Sequence, residues 1–170
     1  MEIKLDKFIL KLEESEKQAR RLSDMGDFFA DRQAVDCRLK TEDPVVYEVY
    51  SCGTDEGQTG DLSYAVTVIN PGDIGGEYYM TKGHFHKKDV AEVYVCFEGS
   101  GILLMQDRAG RIKKSSLKAG EIFYVPKGFA HRAVNTGKGK LKFLAIYPSD
   151  SGHDYESIEK NGFAERIIKK

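Results

Sequence analysis

Three of the four histidines in this chain, together with one glutamate, are spaced as the ligands of a metal ion would be. His84 and His86 are two positions apart, Glu92 follows in the next apolar run, and His131 comes from a later segment. Side chains alternate between the two faces of an extended strand, so His84 and His86 point the same way and can bind one cation together. The sequence therefore predicts a metal site with three imidazole nitrogens and one carboxylate oxygen.

These ligand types limit both the metal and the kind of site. Imidazole and carboxylate ligands without thiolate suit Fe2+, Mn2+, Ni2+, Co2+ or Zn2+, whereas closed structural zinc sites usually contain cysteine. Four protein ligands leave two positions open on a metal that takes six, and substrate oxygens can bind there. We therefore expect one catalytic divalent metal per chain, with Fe2+ as the first choice.

Short β-strands are the elements that must hold these ligands. From Pro44 onward, apolar and β-branched runs alternate with glycine, aspartate and proline, as in the turn Asn70–Gly72. This pattern predicts an antiparallel barrel or sandwich of about nine strands. We place the strands at Val45–Ser51, Leu62–Asn70, Glu77–Lys82, Ala91–Phe97, Gly101–Gln106, Ile112–Ser116, Glu121–Val125, His131–Val134 and Leu141–Tyr147.

The two ends of the chain differ from this β-rich centre. Ala19, Leu22 and Met25 stand at helical spacing, which predicts an N-terminal helix from Glu14 to Met25. A short helix followed by an edge strand is expected near the C-terminus. We thus expect one domain in three parts: a helical and extended segment over 1–43 packed on the barrel, the barrel with its metal site over 44–150, and the C-terminal helix and strand over 151–170.

Composition narrows the partners and the location. The 26 basic and 27 acidic residues give a net charge of −1, which provides no general attraction for nucleic acid or for an anionic membrane. The chain shows neither the apolar core of a signal peptide nor a membrane-spanning apolar run, so a cytoplasmic protein is expected. The three cysteines are odd in number and lack metal-type spacing, which favours reduced thiols. Exposed edges of a small barrel lead us to expect a homodimer.

Two blocks of the sequence resemble the two motifs of the cupins. The second block, from Gly120 through Pro126 and Gly128 to His131, matches at every defined position. The first block contains His84, His86 and Glu92 but has a longer gap between the histidines and the glutamate than is usual. The resemblance implies an all-β fold, a single-domain cupin jelly-roll barrel with an N-terminal helix and a short C-terminal helix.

Longer segments resemble the cupin-type glucose-6-phosphate isomerases found in archaea. The matching segments are Arg21–Met25, Asp43–Tyr50, Thr81–His86, Ala91–Val95, Phe143–Pro148 and Gly152–Tyr155, and the similarity runs from about residue 20 to about residue 165. The resemblance implies a metal-dependent aldose–ketose isomerase of glycolysis and gluconeogenesis that interconverts glucose 6-phosphate and fructose 6-phosphate. One departure is Gly128, where family members commonly carry an aromatic residue, and Lys127 beside it is a possible replacement.

The same resemblance implies contacts with the sugar phosphate. It assigns the phosphate to hydroxyls and a backbone amide, namely Tyr47, Thr67, Thr81, the Gly83 N–H and Tyr147. It also assigns ring opening or hydroxyl binding to His153. A glycine at position 83 makes physical sense because a chain without Cβ lets a phosphate approach the N–H. For Thr67 and Tyr147, packing within a strand is the alternative.

The residues leave two routes open for the hydrogen that moves between C1 and C2. Glu92 can act as a general base in an enediol path, although metal binding would lower its basicity, or the hydrogen can shift directly without a base. Tyr94 is two residues after Glu92 and shares its strand face, so its hydroxyl can donate to a substrate oxygen or simply belong to the core. Two other functions fit a cupin ligand set: a non-haem iron dioxygenase and a non-catalytic sugar-binding protein.

Overall fold

The computed structural model describes residues 16–53 and 58–169, and most of them lie in antiparallel β-strands. The strands in these ranges are β1 (Glu16–Arg21), β2 (Val45–Gly53), β3 (Leu62–Ile69), β4 (Asp73–Ile74), β5 (Glu77–Tyr78), β6 (Phe85–His86), β7 (Glu92–Glu98), β8 (Ser100–Asp107), β9 (Ile112–Lys118), β10 (Ile122–Val125), β11 (Phe129–Asn135), β12 (Leu141–Pro148) and β13 (His153–Asp154). The helices are α1 (Leu22–Met25), a 3-10 turn (Gly26–Phe28), α2 (Arg32–Leu39) and α3 (Glu156–Asn161).

Two sheets form the barrel. The larger has the strand order β1-β2-β3-β12-β7-β10, and the smaller has the order β11-β8-β9. One core cluster contains fully buried side chains from both sheets, among them Phe143 of β12, Leu103 of β8 and Val134 of β11. The sheets therefore pack face to face, which confirms the predicted all-β architecture with short helices near its ends.

Small side chains on the inner face of the larger sheet leave space inside the barrel. Ala145 of β12 stands opposite Ala65 of β3 on one side and opposite Tyr94 of β7 on the other. Thr67 lies opposite Phe143 in the next inward-facing row. Because alternate residues of a strand face the same side, these rows combine small and polar side chains on one surface. That surface forms one wall of a cavity inside the barrel.

The outer face of the same sheet is also apolar. Val66, Val68 and Leu144 are buried there. Five partly buried apolar side chains from β2, β3, β7 and β12 pack against them: Tyr50, Tyr64, Val95, Phe97 and Ile146. We call these eight residues the outer apolar face. A strand that is apolar on both sides is typical of a sheet covered on both faces.

The predicted N-terminal helix is wrong over its first part. Residues 16–21 form β1, which pairs with β2 so that Gln18 lies opposite Val49 and Arg20 opposite Tyr47. Side chains of this segment are mostly exposed, so a helix here would have no apolar face to bury, whereas pairing with β2 satisfies the backbone groups of a sheet edge. A helix begins only at Leu22. The residues 1–15, including the start of the predicted helix, lie outside the described part of the chain.

The predicted strand Glu77–Lys82 is shorter in the structure. β5 ends at Tyr78, after which the chain runs beside β11 with isolated bridges, Met80 to Val134 and His84 to His131. Between these bridges the Thr81 N–H donates to the Ala133 carbonyl, whereas the Ala133 N–H donates to the Thr81 hydroxyl oxygen rather than to a backbone carbonyl. This loosely paired segment leads directly into the first histidine.

β6 is followed by a bend at 87–89 and pairs with β13. The predicted C-terminal edge strand is reduced to a single bridge between Ile168 and Glu77, after α3. Among the described residues, no helix is long and apolar enough to cross a membrane.

Candidate active site

The four predicted ligands meet inside the barrel although they come from four separate segments. One potential ligand atom from each of His84, His86, Glu92 and His131 lies within 4.8 Å of the others. β6 carries His86, β7 carries Glu92 and β11 carries His131, while His84 precedes β6 and is held by reciprocal backbone hydrogen bonds with His131. The strand pairings of the barrel thus converge on one point.

Hydrogen bonding prepares His131 for ligation. Its Nδ1 lies 3.3 Å from the carbonyl oxygen of Phe129, which can only accept, so Nδ1 carries the proton. In the neutral ring Nε2 is then left with a lone pair for a metal ion, whereas in the protonated ring Nε2–H donates to Oε2 of Glu92, 2.7 Å away. Such support of the second ring nitrogen by a carbonyl is common for metal-binding histidines because it fixes the tautomer and the ring orientation.

Buried nitrogen atoms in this cluster lack hydrogen-bond partners among the described residues. They are Nε2 of His84, Nδ1 of His86 and Nε2 of His131. Buried polar atoms are normally satisfied, so three orphaned nitrogens within one cluster indicate a missing electrophile. A divalent cation is the electrophile that three imidazoles and one carboxylate fit. The cluster therefore fits a metal site.

The electrostatics of the cluster favour the protonation states that a metal needs. Burial alone would raise the pKa of Glu92, but interactions with His131 and His86 outweigh it and lower the pKa to about 2. The pKa of His84 is lowered well below its ordinary value, mainly because the ring is buried and to a lesser extent because of the neighbouring imidazoles of His131, His153 and His86. Glu92 is thus ionised and His84 neutral at physiological pH, as metal ligands must be.

A cavity of about 470 Å³ opens on the cluster. This volume is within the range of small-molecule sites. His84, Glu92 and His131 line one part of it. The five predicted substrate contacts also line it: Tyr47, Thr67, Thr81, Gly83 and Tyr147. We call these five residues the hydroxyl-rich wall. It extends across the sheet from Gly83, which directly precedes His84, to Thr67 on β3, which is two strands and about 10 Å away from Glu92 on β7.

Tyr94 lies between this cavity and the core. Its side chain is 5% exposed, stacks on Phe143 with ring centroids 4.6 Å apart and meets His131 edge-on at 5.8 Å. Burial, followed by the charge of Glu92, raises the pKa of Tyr94 well above its ordinary value. Its hydroxyl therefore keeps its proton and remains a donor. Tyr94 is both a core residue and a cavity residue.

His153 and Tyr155 form a second pair of rings beside the cluster. β13 brings His153 opposite His86, and the ring of His153 lies 4.5 Å from that of His84. Tyr155 stacks on His153 with centroids 5.8 Å apart and an interplanar angle of 21°. Both side chains line the cavity. All residues predicted for the site therefore line this one cavity except His86, whose ring lies beside those of His84 and Tyr147.

Comparison with known proteins identifies the family. Residues 19–170 match the family model of glucose-6-phosphate isomerase. A glucose-6-phosphate isomerase of Pyrococcus furiosus is 48% identical over 160 residues, which cover 94% of this chain and 84% of that protein. One of Thermococcus litoralis is 44% identical over 169 residues, 99% of this chain and 88% of that protein. The chain belongs to the glucose-6-phosphate isomerase family. Its activity is that of a glucose-6-phosphate isomerase, EC 5.3.1.9.

Solved structures show the fold. An oxalate oxidase superimposes with a TM-score of 0.54 at 17% identity, covering 66% of this chain and 56% of that chain. A variant of Bacillus subtilis oxalate decarboxylase superimposes with a TM-score of 0.50 at 21% identity, covering 68% of this chain and 29% of that one. At such low identity the likeness shows a cupin fold, as predicted, and not a shared reaction.

Sequence reasoning missed several cavity residues of this isomerase, among them Tyr155, Gln18 and Arg20. Tyr155 belongs to the segment Gly152–Tyr155, whose family resemblance was a usable signal. Gln18 and Arg20 also line the cavity, from β1. They were missed because residues 16–21 were assigned to a helix, whereas the alternation of a strand turns both side chains to the same face. Lys127 pairs with exposed Asp89 at 2.9 Å and is half or more exposed, so it does not replace an aromatic contact in the cavity.

Proposed function

We propose that the sugar phosphate lies across the cavity with C1 and C2 at the histidine–glutamate cluster and the phosphate at the hydroxyl-rich wall. The observation that carries this proposal is that one cavity is lined both by the cluster and by Thr67, Thr81 and Gly83. An extended six-carbon phosphate has its carbonyl and phosphate at opposite ends, and the wall extends across the sheet to Thr67, about two strand spacings from Glu92.

His84, His86, Glu92 and His131 would hold one divalent metal, and we assign Fe2+, with Mn2+, Ni2+, Co2+ and Zn2+ as substitutes. Three imidazoles with a single carboxylate are intermediate between soft and hard ligand sets, which suits Fe2+. The metal would supply Lewis-acid polarisation of the oxygens on C1 and C2. The three orphaned nitrogens and the ionised Glu92 support this assignment.

The phosphate would be bound without a glycine-rich nucleotide loop, by hydroxyls, a backbone amide and one guanidinium. Burial, followed by the influence of Tyr155, raises the pKa of Tyr47 to about 12, so its hydroxyl stays a donor. Thr81 accepts from Ala133 and keeps its own hydrogen for an acceptor. Arg20 interacts with the Tyr47 side chain and brings a positive charge to the same wall. Thr67 and Tyr147 complete the set.

Ring opening requires a proton to leave O1 and another to reach O5. We assign the transfer to His153, because its imidazole stands beside His84 and is held by stacking on Tyr155. Tyr94 would donate a hydrogen bond to the substrate oxygen on which negative charge develops. The raised pKa of Tyr94 supports a role as donor rather than as base.

The two hydrogen routes place different demands on Glu92. In the enediol route the carboxylate removes the C2 proton and returns it to C1, while the oxygen on C1 gains a proton and the hydroxyl on C2 loses one. In the direct route the C2 hydrogen moves to C1 with its electron pair, while a proton moves from the hydroxyl on C2 to the oxygen on C1. In the structure both imidazole contacts of Glu92 are made by Oε2, at 2.7 Å from His131 and 3.2 Å from His86.

Metal-stripped protein provides the test of this proposal. Fructose 6-phosphate is converted in an assay coupled to glucose-6-phosphate dehydrogenase, before and after each divalent metal is added back singly. We expect activity to disappear with the metal and to return in proportion to metal bound per chain. Full activity in protein that holds no metal would refute the metal-dependent part of the proposal. Activity at equal rates on fructose without phosphate would refute the phosphate assignment.

A homodimer formed through the outer apolar face is also proposed, and a cytoplasmic location follows from the sugar-phosphate substrate. The partly buried members of this face, Ile146 among them, are the ones that a second copy of the chain can still cover. Ile146→Lys places a charge within the face and should yield a monomer in light scattering, whereas Ile122→Lys, at an apolar residue of β10 that is 71% exposed, should not. A dimer that survives Ile146→Lys would contradict this interface.

A further inference from the structure

Arg132 is a buried charge on the side of β11 that faces away from the cavity. It follows His131, whose side chain lines the cavity, so strand alternation turns Arg132 outward. The residue is nevertheless only 4% exposed. Its guanidinium donates to the sulfur of Met80 and to a backbone carbonyl rather than to a carboxylate. A fully buried arginine with this unusual set of partners calls for an explanation, because burying its charge is costly.

The backbone carbonyl that Arg132 grips belongs to Lys82. Nη2 donates to this oxygen at 2.6 Å and Nε donates to it at 3.3 Å. Two donors from one planar group on a single acceptor define the direction of that acceptor better than one flexible donor does. The Lys82 carbonyl is therefore held towards Arg132, on the outer side of the segment.

The orientation of this carbonyl determines where the Gly83 N–H points. Both groups belong to the same peptide unit, which is planar and trans, so they point in opposite directions. With the Lys82 oxygen held outward, the Gly83 N–H is directed inward, where Gly83 lines the cavity. Gly83 has a φ of +75°, a conformation that suits glycine and that most other residues avoid.

Aromatic rings hold both Arg132 and the glycine in place. The guanidinium lies 4.6 Å from the ring centroid of Phe163 and 5.8 Å from that of Phe28. Cε2 of Phe163 would be 2.8 Å from a Cβ on Gly83, so this ring also lies directly against the glycine. Phe28, from the start of the described chain, and Phe163, from its end, thus pack around the Arg132 side chain that binds the peptide unit between Lys82 and Gly83.

We propose that Arg132 is a positioning residue for phosphate binding, which sets the Gly83 N–H towards the phosphate through the Lys82 carbonyl. This inference rests on the proposed function, since it takes the Gly83 amide as a phosphate ligand. Arg132 itself does not touch the substrate. Its role differs from that of the hydroxyls of the wall, because it acts on the geometry of the backbone and not on the charge of the cavity.

Arg132→Lys is the variant that tests the proposal, with Arg166→Lys as its matched control. Lysine keeps the positive charge but cannot place two donors of one planar group on the Lys82 carbonyl oxygen. Arg166 lies in the same outer region but binds Glu77 and the Phe28 carbonyl instead. In metal-loaded Arg132→Lys we expect KM for fructose 6-phosphate and the competitive inhibition constant of inorganic phosphate to rise about five- to twenty-fold, with kcat within about two-fold. Arg166→Lys should leave all three within about two-fold.

Two further measurements distinguish positioning from a purely structural role. The amide signal of Gly83 in 1H–15N spectra should shift on addition of inorganic phosphate in the parent and in Arg166→Lys, and this shift should shrink in Arg132→Lys. Metal bound per chain should be unchanged. Should Arg132→Lys not fold, Phe163→Leu decides, because it removes the ring against which the Arg132 guanidinium packs at 4.6 Å and so loosens the orientation of its two donors; a rise in KM of about three-fold or more is then expected.

Several results would overturn the inference. In each case the parent enzyme is an active isomerase that phosphate inhibits. One such result is that KM and the phosphate inhibition constant are unchanged in folded Arg132→Lys, or in Phe163→Leu if Arg132→Lys does not fold. Another is a joint fall of kcat and metal content, which would assign Arg132 to the support of His131. A parent enzyme that phosphate does not inhibit would instead refute the proposed phosphate site and the inference with it.

Discussion

Thr81→Val removes one hydroxyl that, on our account, has two partners. The Thr81 oxygen accepts from the Ala133 N–H at 3.2 Å and its hydrogen would bind the substrate phosphate. Valine keeps the volume of threonine but can do neither. The variant should therefore show two separate defects, one in stability and one in substrate affinity.

The size of each defect follows from the environment of its partner. Ala133 is fully buried, so leaving its N–H without an acceptor should cost about 1–3 kcal/mol. In a domain of this size, each kcal/mol lowers Tm by about 2–4 °C. A hydrogen bond to a charged phosphate is worth about 1.5–3 kcal/mol, which corresponds to a rise in KM of about ten- to one-hundred-fold. Since phosphate binding is the same in the ground and transition states, kcat should change little.

Steady-state kinetics and thermal unfolding of Thr81→Val and Thr81→Ser, both metal-loaded, provide the test. Serine keeps the hydroxyl, so Thr81→Ser should retain a KM within a few-fold of the parent. A Thr81→Val protein with a lowered Tm but an unchanged KM would refute the reasoning, because the hydroxyl would then serve only Ala133. An unchanged Tm would contradict the structural half of the argument.

Three other variants test separate parts of the account. His86→Ala should lower metal content, measured by mass spectrometry, together with activity, while circular dichroism still reports a folded barrel; full activity with undiminished metal would exclude His86 as a ligand. Glu92→Gln, compared at equal metal occupancy, should lose about two to four orders of magnitude in kcat if Glu92 is a base, whereas a change of a few-fold, with deuterium from C2 retained in the product, selects direct transfer. Tyr47→Phe tests alkaline stability. The pKa of Tyr47 is raised in the folded state to about 12. Its contribution to the free energy of unfolding is therefore fully present below pH 10 and is lost as the pH rises through 12, by about 3 kcal/mol in total. Denaturant titrations should show a smaller loss over that range in Tyr47→Phe, and an equal loss would contradict the assignment.

Much of the site could be predicted because its residues carry local signals. His84 and His86 share a strand face because side chains alternate along a strand, and Pro126 and Gly128 indicate a turn just before the strand that carries His131. The strands of the barrel were located within a few residues, since apolar runs separated by glycine and proline are strong signals for strands.

What could not be predicted depends on long-range pairing. Residues 16–21 have no apolar pattern of their own and become a strand only because β2 offers a free edge. The β6–β13 pair, which brings His153 to His86, joins residues far apart in sequence. For the same reason no sequence pattern connects Arg132 to the carbonyl of Lys82, a contact that exists only because the segment before His84 runs beside β11.

The most direct test of the central claim is a crystal structure with a metal ion and a five-carbon sugar-acid phosphate that mimics the enediol. Anomalous scattering at the metal edge should place one ion among His84, His86, Glu92 and His131, at about 2.0–2.2 Å from their ligand atoms. The oxygens of the inhibitor's acid end should face the ion, and its phosphate should contact Thr81 and the Gly83 N–H. A phosphate at the histidine cluster, or an ion bound elsewhere, would contradict the account.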